Sequence, residues 1–121
     1  MPIVEVEIVL RPNESLRKEM VTELADEFGD IFQSPQGGTW GKVRGLPAEH
    51  YAENGGMQEG VYPIFVSITK SKLLLIDELQ IEVEKIIGAA AQVCGRSSEN
   101  VHVIYQPEGR GRIAFGGTIV S

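Results

Sequence analysis

The feature that most constrains the fold is that the chain reads as one unit written twice. Pro2 recurs as Pro63, and Gly55-Gly56 recurs as Gly116-Gly117, both 61 positions on. Each half begins with a strand pattern. In residues 3–10, Val4, Val6 and Ile8 alternate with Glu5 and Glu7, the period of a strand with one face buried. Pro12-Asn13-Glu14 predicts a helix start with Asn13 as its N-cap. Leu16, Met20, Leu24, Phe28 and Phe32 then form an apolar stripe, with Arg17, Lys18, Glu19 and Glu23 outside it. A loop at Ser34–Gly38 and a short strand, Thr39 to Arg44, complete the unit.

The second half repeats the order. Tyr62 to Thr69 is a more continuous apolar strand, suited to a central position. The spacing predicts a helix over 72–94. Leu75, Leu79, Val83, Ile86, Ile87 and Ala90 face inward, while Asp77, Glu78, Glu82, Glu84 and Lys85 face outward. Gly95 fits a helix C-cap. Asn100 to Tyr105 is the last long strand. A β-α-β unit cannot cover both faces of its strands, so two units predict an α+β fold: one four-stranded sheet with two helices on one face. We read 1–121 as a single domain with pseudo-repeats at about 2–60 and 62–121. The uncovered sheet face needs a partner, and a closed ring of identical subunits supplies one.

Composition narrows the function classes. At 42% hydrophobic and 23% charged residues, the chain is that of an ordinary folded protein. A net charge of −6 argues against nucleic acid as a partner, since phosphate binding needs a basic surface. The single cysteine, Cys94, precludes an internal disulfide and fits a reducing, cytoplasmic setting. Its apolar surroundings mark it as a core residue. The opening Met1–Glu7 lacks the pattern of a signal peptide, and no apolar run is long enough to span a membrane. Phosphate loops and zinc spacings are absent from the sequence, so no cofactor or metal is expected. His50 and Glu53 lack a third ligand and read as a polar turn.

Three segments carry a family resemblance: Met1-Pro-Ile-Val-Glu at the start, Asn100-Val-His-Val-Ile-Tyr-Gln-Pro near the end, and the closing Arg112-Ile-Ala-Phe-Gly-Gly. In order and spacing the whole chain resembles the tautomerase superfamily, which includes 4-oxalocrotonate tautomerase, macrophage migration inhibitory factor and cis-3-chloroacrylic acid dehalogenase. The resemblance implies a homotrimer of double β-α-β subunits with active sites near subunit boundaries. It also implies an amino-terminal proline as the working residue, carried here onto Pro2 once Met1 is removed.

That assignment makes chemical sense. An α-amino group titrates at about 7.7–8.0, and an apolar pocket with nearby cations lowers that value. A neutral amine then removes a proton α to a carbonyl and returns it elsewhere. Pro63, locked in a peptide bond, cannot do this. The plainer reading of Pro2 is the start of an edge strand.

Around such a base, charge building on the carbonyl oxygen needs a donor or cation. The resemblance places Arg11, just after the first strand, near a substrate-binding arginine of 4-oxalocrotonate tautomerase. Lys70 and Lys72 fall in the equivalent turn of the second unit, where dehalogenase relatives use arginines. His102 aligns with a strand position that presents a polarising group, and Tyr105 is a further donor. Each has a bland alternative: a solvated turn cation for the lysines and arginine, a structural polar residue for His102, a rim residue for Tyr105. Lys42 and Arg44 read as solvating an edge, and Arg110 and Arg112 as subunit contacts.

The expected function is a cofactor-independent keto–enol tautomerase acting on a small carboxylate-bearing 2-oxo or 2-hydroxydienoate acid. Pro2 and His102 are its catalytic residues, and Arg11, Lys70, Lys72 and Tyr105 bind substrate. The alternatives are a hydratase or dehalogenase using Pro2 as general acid, and a non-catalytic binding module on the same scaffold.

Overall fold

A computed structural model describes residues 2–121. The first alternating segment forms β1 (Ile3–Val9), followed by α1 (Met20–Ile31) and β2 (Trp40–Leu46). The second half gives β3 (Ile64–Thr69), α2 (Ile76–Cys94) and β4 (Val101–Tyr105), and a small hairpin of β5 (Ala114–Phe115) and β6 (Thr118–Ile119) follows. The main sheet has the order β2-β1-β3-β4. Within each β-α-β unit the strands are parallel, and the two units join antiparallel through β1 and β3. The fold is α+β, with two helices and a four-stranded mixed sheet as expected.

Alternation decides the two faces. Val4, Val6, Ile8, Ile64, Val66, Ile68 and Val101 are buried together with Met20, Leu24 and Phe28 of α1 and Ile86 and Ala90 of α2. The opposite face carries Glu5, Glu7, Lys42, Arg44, Phe65, Ser67, His102 and Ile104, partly or fully exposed. Lys42 pairs with Glu5 at 2.8 Å and Arg44 with Glu7 at 3.0 Å across β1 and β2. A shallow groove of about 330 Å³ runs over these pairs and Phe65.

Three local expectations are corrected. α1 begins at Met20, not near residue 14, because Asn13 turns left-handed (φ 64°) instead of capping a helix. Glu14 is drawn away from any capping role: it accepts from the Arg11 N–H and from the Arg96 guanidinium. α2 begins at Ile76, so Leu75 precedes the helix and is exposed rather than inward. Glu82, expected to face outward, is buried. Gly95 ends α2 in the left-handed conformation at φ 67°, as its C-cap reading requires.

Candidate active site

Strand register brings four chain segments to one end of the sheet. Ile3 at the start of β1 pairs with Trp40 at the start of β2 and with Thr69 at the end of β3. Ile68 pairs with Tyr105 at the end of β4. Pro2 therefore flanks Thr39 on one side and Lys70 on the other. Its carbonyl accepts from the Trp40 N–H at 3.0 Å. Pro2 is buried, and by alternation it shares the helix side of the sheet with Val4.

The same parity sends Lys70 and Tyr105 to that side. They meet there on one buried carboxylate. Lys70 Nζ donates to Glu82 Oε1 at 3.0 Å, and the Tyr105 hydroxyl donates to Glu82 Oε2 at 2.7 Å. The Lys70 ammonium also lies over the Phe32 ring, 4.9 Å from its centroid, a favourable position for a cation. Burial raises the Tyr105 hydroxyl far above the ordinary tyrosine value, and its bond to the Glu82 carboxylate raises it further. Tyr105 is thus a fixed donor at neutral pH. The cluster opens into a groove of about 320 Å³ lined by Ile31, Gln33, Leu74, Glu78, Ile81 and Lys85.

The turn after β3 is held as firmly as the side chain it carries. Gly109 N–H donates to the Lys70 carbonyl at 2.7 Å, and Leu73 N–H donates to Glu108 Oε2 at 2.8 Å. Lys72 projects from this turn, exposed to solvent. Pro2, Lys70 and Tyr105 are thus brought to one end of the sheet, with Lys72 at its rim.

Arg11 and His102 lie elsewhere in the chain. Arg11 follows the far end of β1, about 30 Å from Pro2 along the strand. There its Nη2 donates to the Gly95 carbonyl at 2.8 Å, and its Nη1 pairs with Glu14 at 3.5 Å. His102 is on the open face, opposite Phe65 in register, its ring 5.6 Å from the phenyl centroid. Tyr51 flanks the same phenyl ring at 5.8 Å and donates its hydroxyl to Glu53 at 2.6 Å. Among the described residues no group of three His, Cys, Asp or Glu side chains is placed to hold a metal ion.

Two residues that matter were missed from the sequence. Glu82 had a signal: it stands four positions before Ile86 and eight before Ala90, on the buried stripe of α2. Arg96 had none. Its guanidinium is buried and bonds the carbonyls of Val9, Tyr62 and Cys94 as well as Glu14. Such convergence of distant segments leaves no local trace. Cys94 is buried, which pushes its thiol up to about 11, and it is a core residue as expected.

No protein-family model matches the chain, and comparison with curated proteins finds no match. Solved structures do match in shape along nearly the whole chain. A fused 4-OT wild-type symmetric trimer superposes with a TM-score of 0.78 at 11% identity, covering 98% of this chain and 94% of that one. Pt0534 inactivated by 2-oxo-3-pentynoate gives 0.76 at 14% identity, over 98% and 95%. A macrophage migration inhibitory factor homologue from Prochlorococcus marinus gives 0.72 at 11% identity, over 98% and 99%. Identities this low establish likeness of fold and nothing finer.

Proposed function

We propose that this chain, which has the tautomerase-superfamily fold, is a cofactor-independent keto–enol tautomerase using Pro2 as its general base. The observation that carries the reading is the position of Pro2, buried at a sheet end beside the Lys70–Glu82–Tyr105 cluster. Freed of Met1, which lies outside the described residues, Pro2 presents a secondary amine whose ring fixes its direction. The neutral amine takes a proton from the carbon α to a carbonyl. The C–H electron pair moves into the enolate, and the protonated amine returns the proton at a different carbon. Lys70 and Lys72 supply positive charge for the substrate carboxylate and the developing oxyanion.

The preferred substrate is a small 2-oxo or 2-hydroxydienoate acid. Inactivation of the structural neighbour Pt0534 by 2-oxo-3-pentynoate, a 2-oxo acid, supports the same class. We read the chain as one domain of two pseudo-repeats, cytoplasmic, assembling as a homotrimer like the fused 4-OT neighbours. In such an assembly Arg11 and His102, remote from Pro2 in their own chain, serve the site of an adjacent subunit.

A hydratase or dehalogenase reading has one observation in its favour: Glu82 is a buried carboxylate of the kind that activates water. The macrophage migration inhibitory factor neighbours suit a non-catalytic binding role. Intact mass spectrometry followed by two assays separates the three. A mature chain lacking Met1 that ketonises phenylenolpyruvate or 2-hydroxymuconate supports the tautomerase. Halide release from chloroacrylates without ketonisation supports the second reading, and a chain that keeps Met1 leaves only the third.

A further inference from the structure

Glu82 is an expensive residue to bury. A carboxylate on the apolar stripe of a helix is strongly destabilising unless it is paired and hydrogen-bonded. A leucine there would pack against Ile86 and Ala90 without that cost. Here both carboxylate oxygens are used, each by a group at the Pro2 end of the sheet: Lys70 at 3.0 Å and Tyr105 at 2.7 Å. Lys70 is thereby pinned at both ends, its carbonyl by Gly109 N–H and its ammonium by Glu82 and the Phe32 ring.

We propose that Glu82 is a positioning residue of the Pro2 site: it fixes Lys70 and Tyr105 in one arrangement and balances the Lys70 charge beside the amine. This rests on the reading of Pro2 as a base. Adjacent strands lie about 4.8 Å apart, so the backbone of Lys70 is an immediate neighbour of Pro2. Lys70 leaves the sheet on the side that Pro2 faces, so a lone charge on it would disfavour the protonated amine, and the Glu82 carboxylate that holds the ammonium offsets it. The other charged and titratable groups near Glu82 are Glu78 and Lys85, about one turn either side of it on α2 and lining the same groove, and Tyr105 of β4. α1 and the residues after it contribute Ile31, Phe32 and Gln33, none of which carries charge. Thr39, just before β2, and Trp40 at its start flank Pro2 and do not titrate either.

The balance has a signed consequence. With Glu82→Gln the Lys70 charge is uncompensated, and the Pro2 amine should titrate lower by about one pH unit. With Glu82→Gln and Lys70→Met together, both charges are gone and the midpoint should return to the wild-type value. The measurement is the 15N shift of the amino-terminal proline against pH in wild type, single variant and double variant, with circular dichroism to verify folding. A merely structural Glu82 would lower thermal stability in both variants and leave the midpoint in place.

A downward shift that the second substitution reverses supports the assignment. A midpoint unchanged in Glu82→Gln, in a chain whose Pro2 titrates normally, overturns it and leaves the base reading intact. A chain in which Pro2 remains an amide to Met1 shows no titration, and removes both.

Discussion

Arg96 shows how much one buried side chain can hold at the end of the molecule away from Pro2. It bonds the last carbonyl of β1, the carbonyl of Tyr62 ahead of β3 and that of Cys94 at the end of α2, and it forks onto Glu14 at 2.9 and 3.2 Å. Arg96→Met would take the buried fork away from Glu14, leaving it only Arg11, and would strip three carbonyls of their guanidinium donor, a loss of about 3–5 kcal/mol, measurable by urea unfolding. The pair also has a pH signature. The Arg96 hydrogen bond is the largest influence on the Glu14 carboxyl and holds it below its ordinary value of 4.5, against the opposing effect of burial. A depressed carboxyl stabilises the fold fully above its unfolded value, and that contribution fades as pH falls through the folded one. Unfolding free energy should therefore decline on acidification below about 4.5, and decline less steeply in Arg96→Met. Cys94, with its thiol pushed up to about 11 and buried, should resist alkylation at pH 7 in the native chain and react once urea unfolds it.

Among the elements, the terminal hairpin is held by few contacts. Gly116 and Gly117 turn it at φ 57° and 96°, the left-handed pair a two-residue hairpin demands. Phe115 then packs edge-on against Trp40, centroids 5.1 Å apart. Phe115→Ala removes a contact worth roughly 1 kcal/mol. Amide exchange in 111–120 should accelerate while protection in β1 and β3 stays at the wild-type level. The strands and α2 were legible from sequence because alternation and helical spacing are local properties, as Val4-Val6-Ile8 and Ile86-Ala90 show. The start of α1 was not. Pro12-Asn13-Glu14 has the composition of a helix cap, but Glu14 is claimed by Arg96, 82 residues away. Glu82 was misplaced for a similar reason: charge suggested solvent, while Lys70 and Tyr105, distant in sequence, made burial tolerable. Pro2, Lys70 and Tyr105 could be named from the resemblance, but their gathering at one sheet end, and the meeting of Lys70 and Tyr105 on Glu82, only appear once register is known.

For the molecule as a whole, the open sheet face is the feature one chain does not resolve. Cross-strand ion pairs Glu5–Lys42 and Glu7–Arg44 leave its β1–β2 half balanced in charge. Phe65, His102 and an Ile104 that is 55% exposed make the other half more apolar. A trimer that buries this face predicts a sedimentation mass three times that of the chain. Ile104→Glu should shift the population toward monomer, and if Arg11 and His102 serve an adjacent subunit as proposed, weaken turnover as well. The claim on which the function turns is nonetheless a single amine. The most direct test is the rate of phenylenolpyruvate ketonisation by Pro2→Ala beside wild type, both with Met1 removed. A Pro2 base predicts a loss of about 10²–10⁴-fold in kcat/KM, and a Pro2→Ala variant as fast as wild type would contradict it.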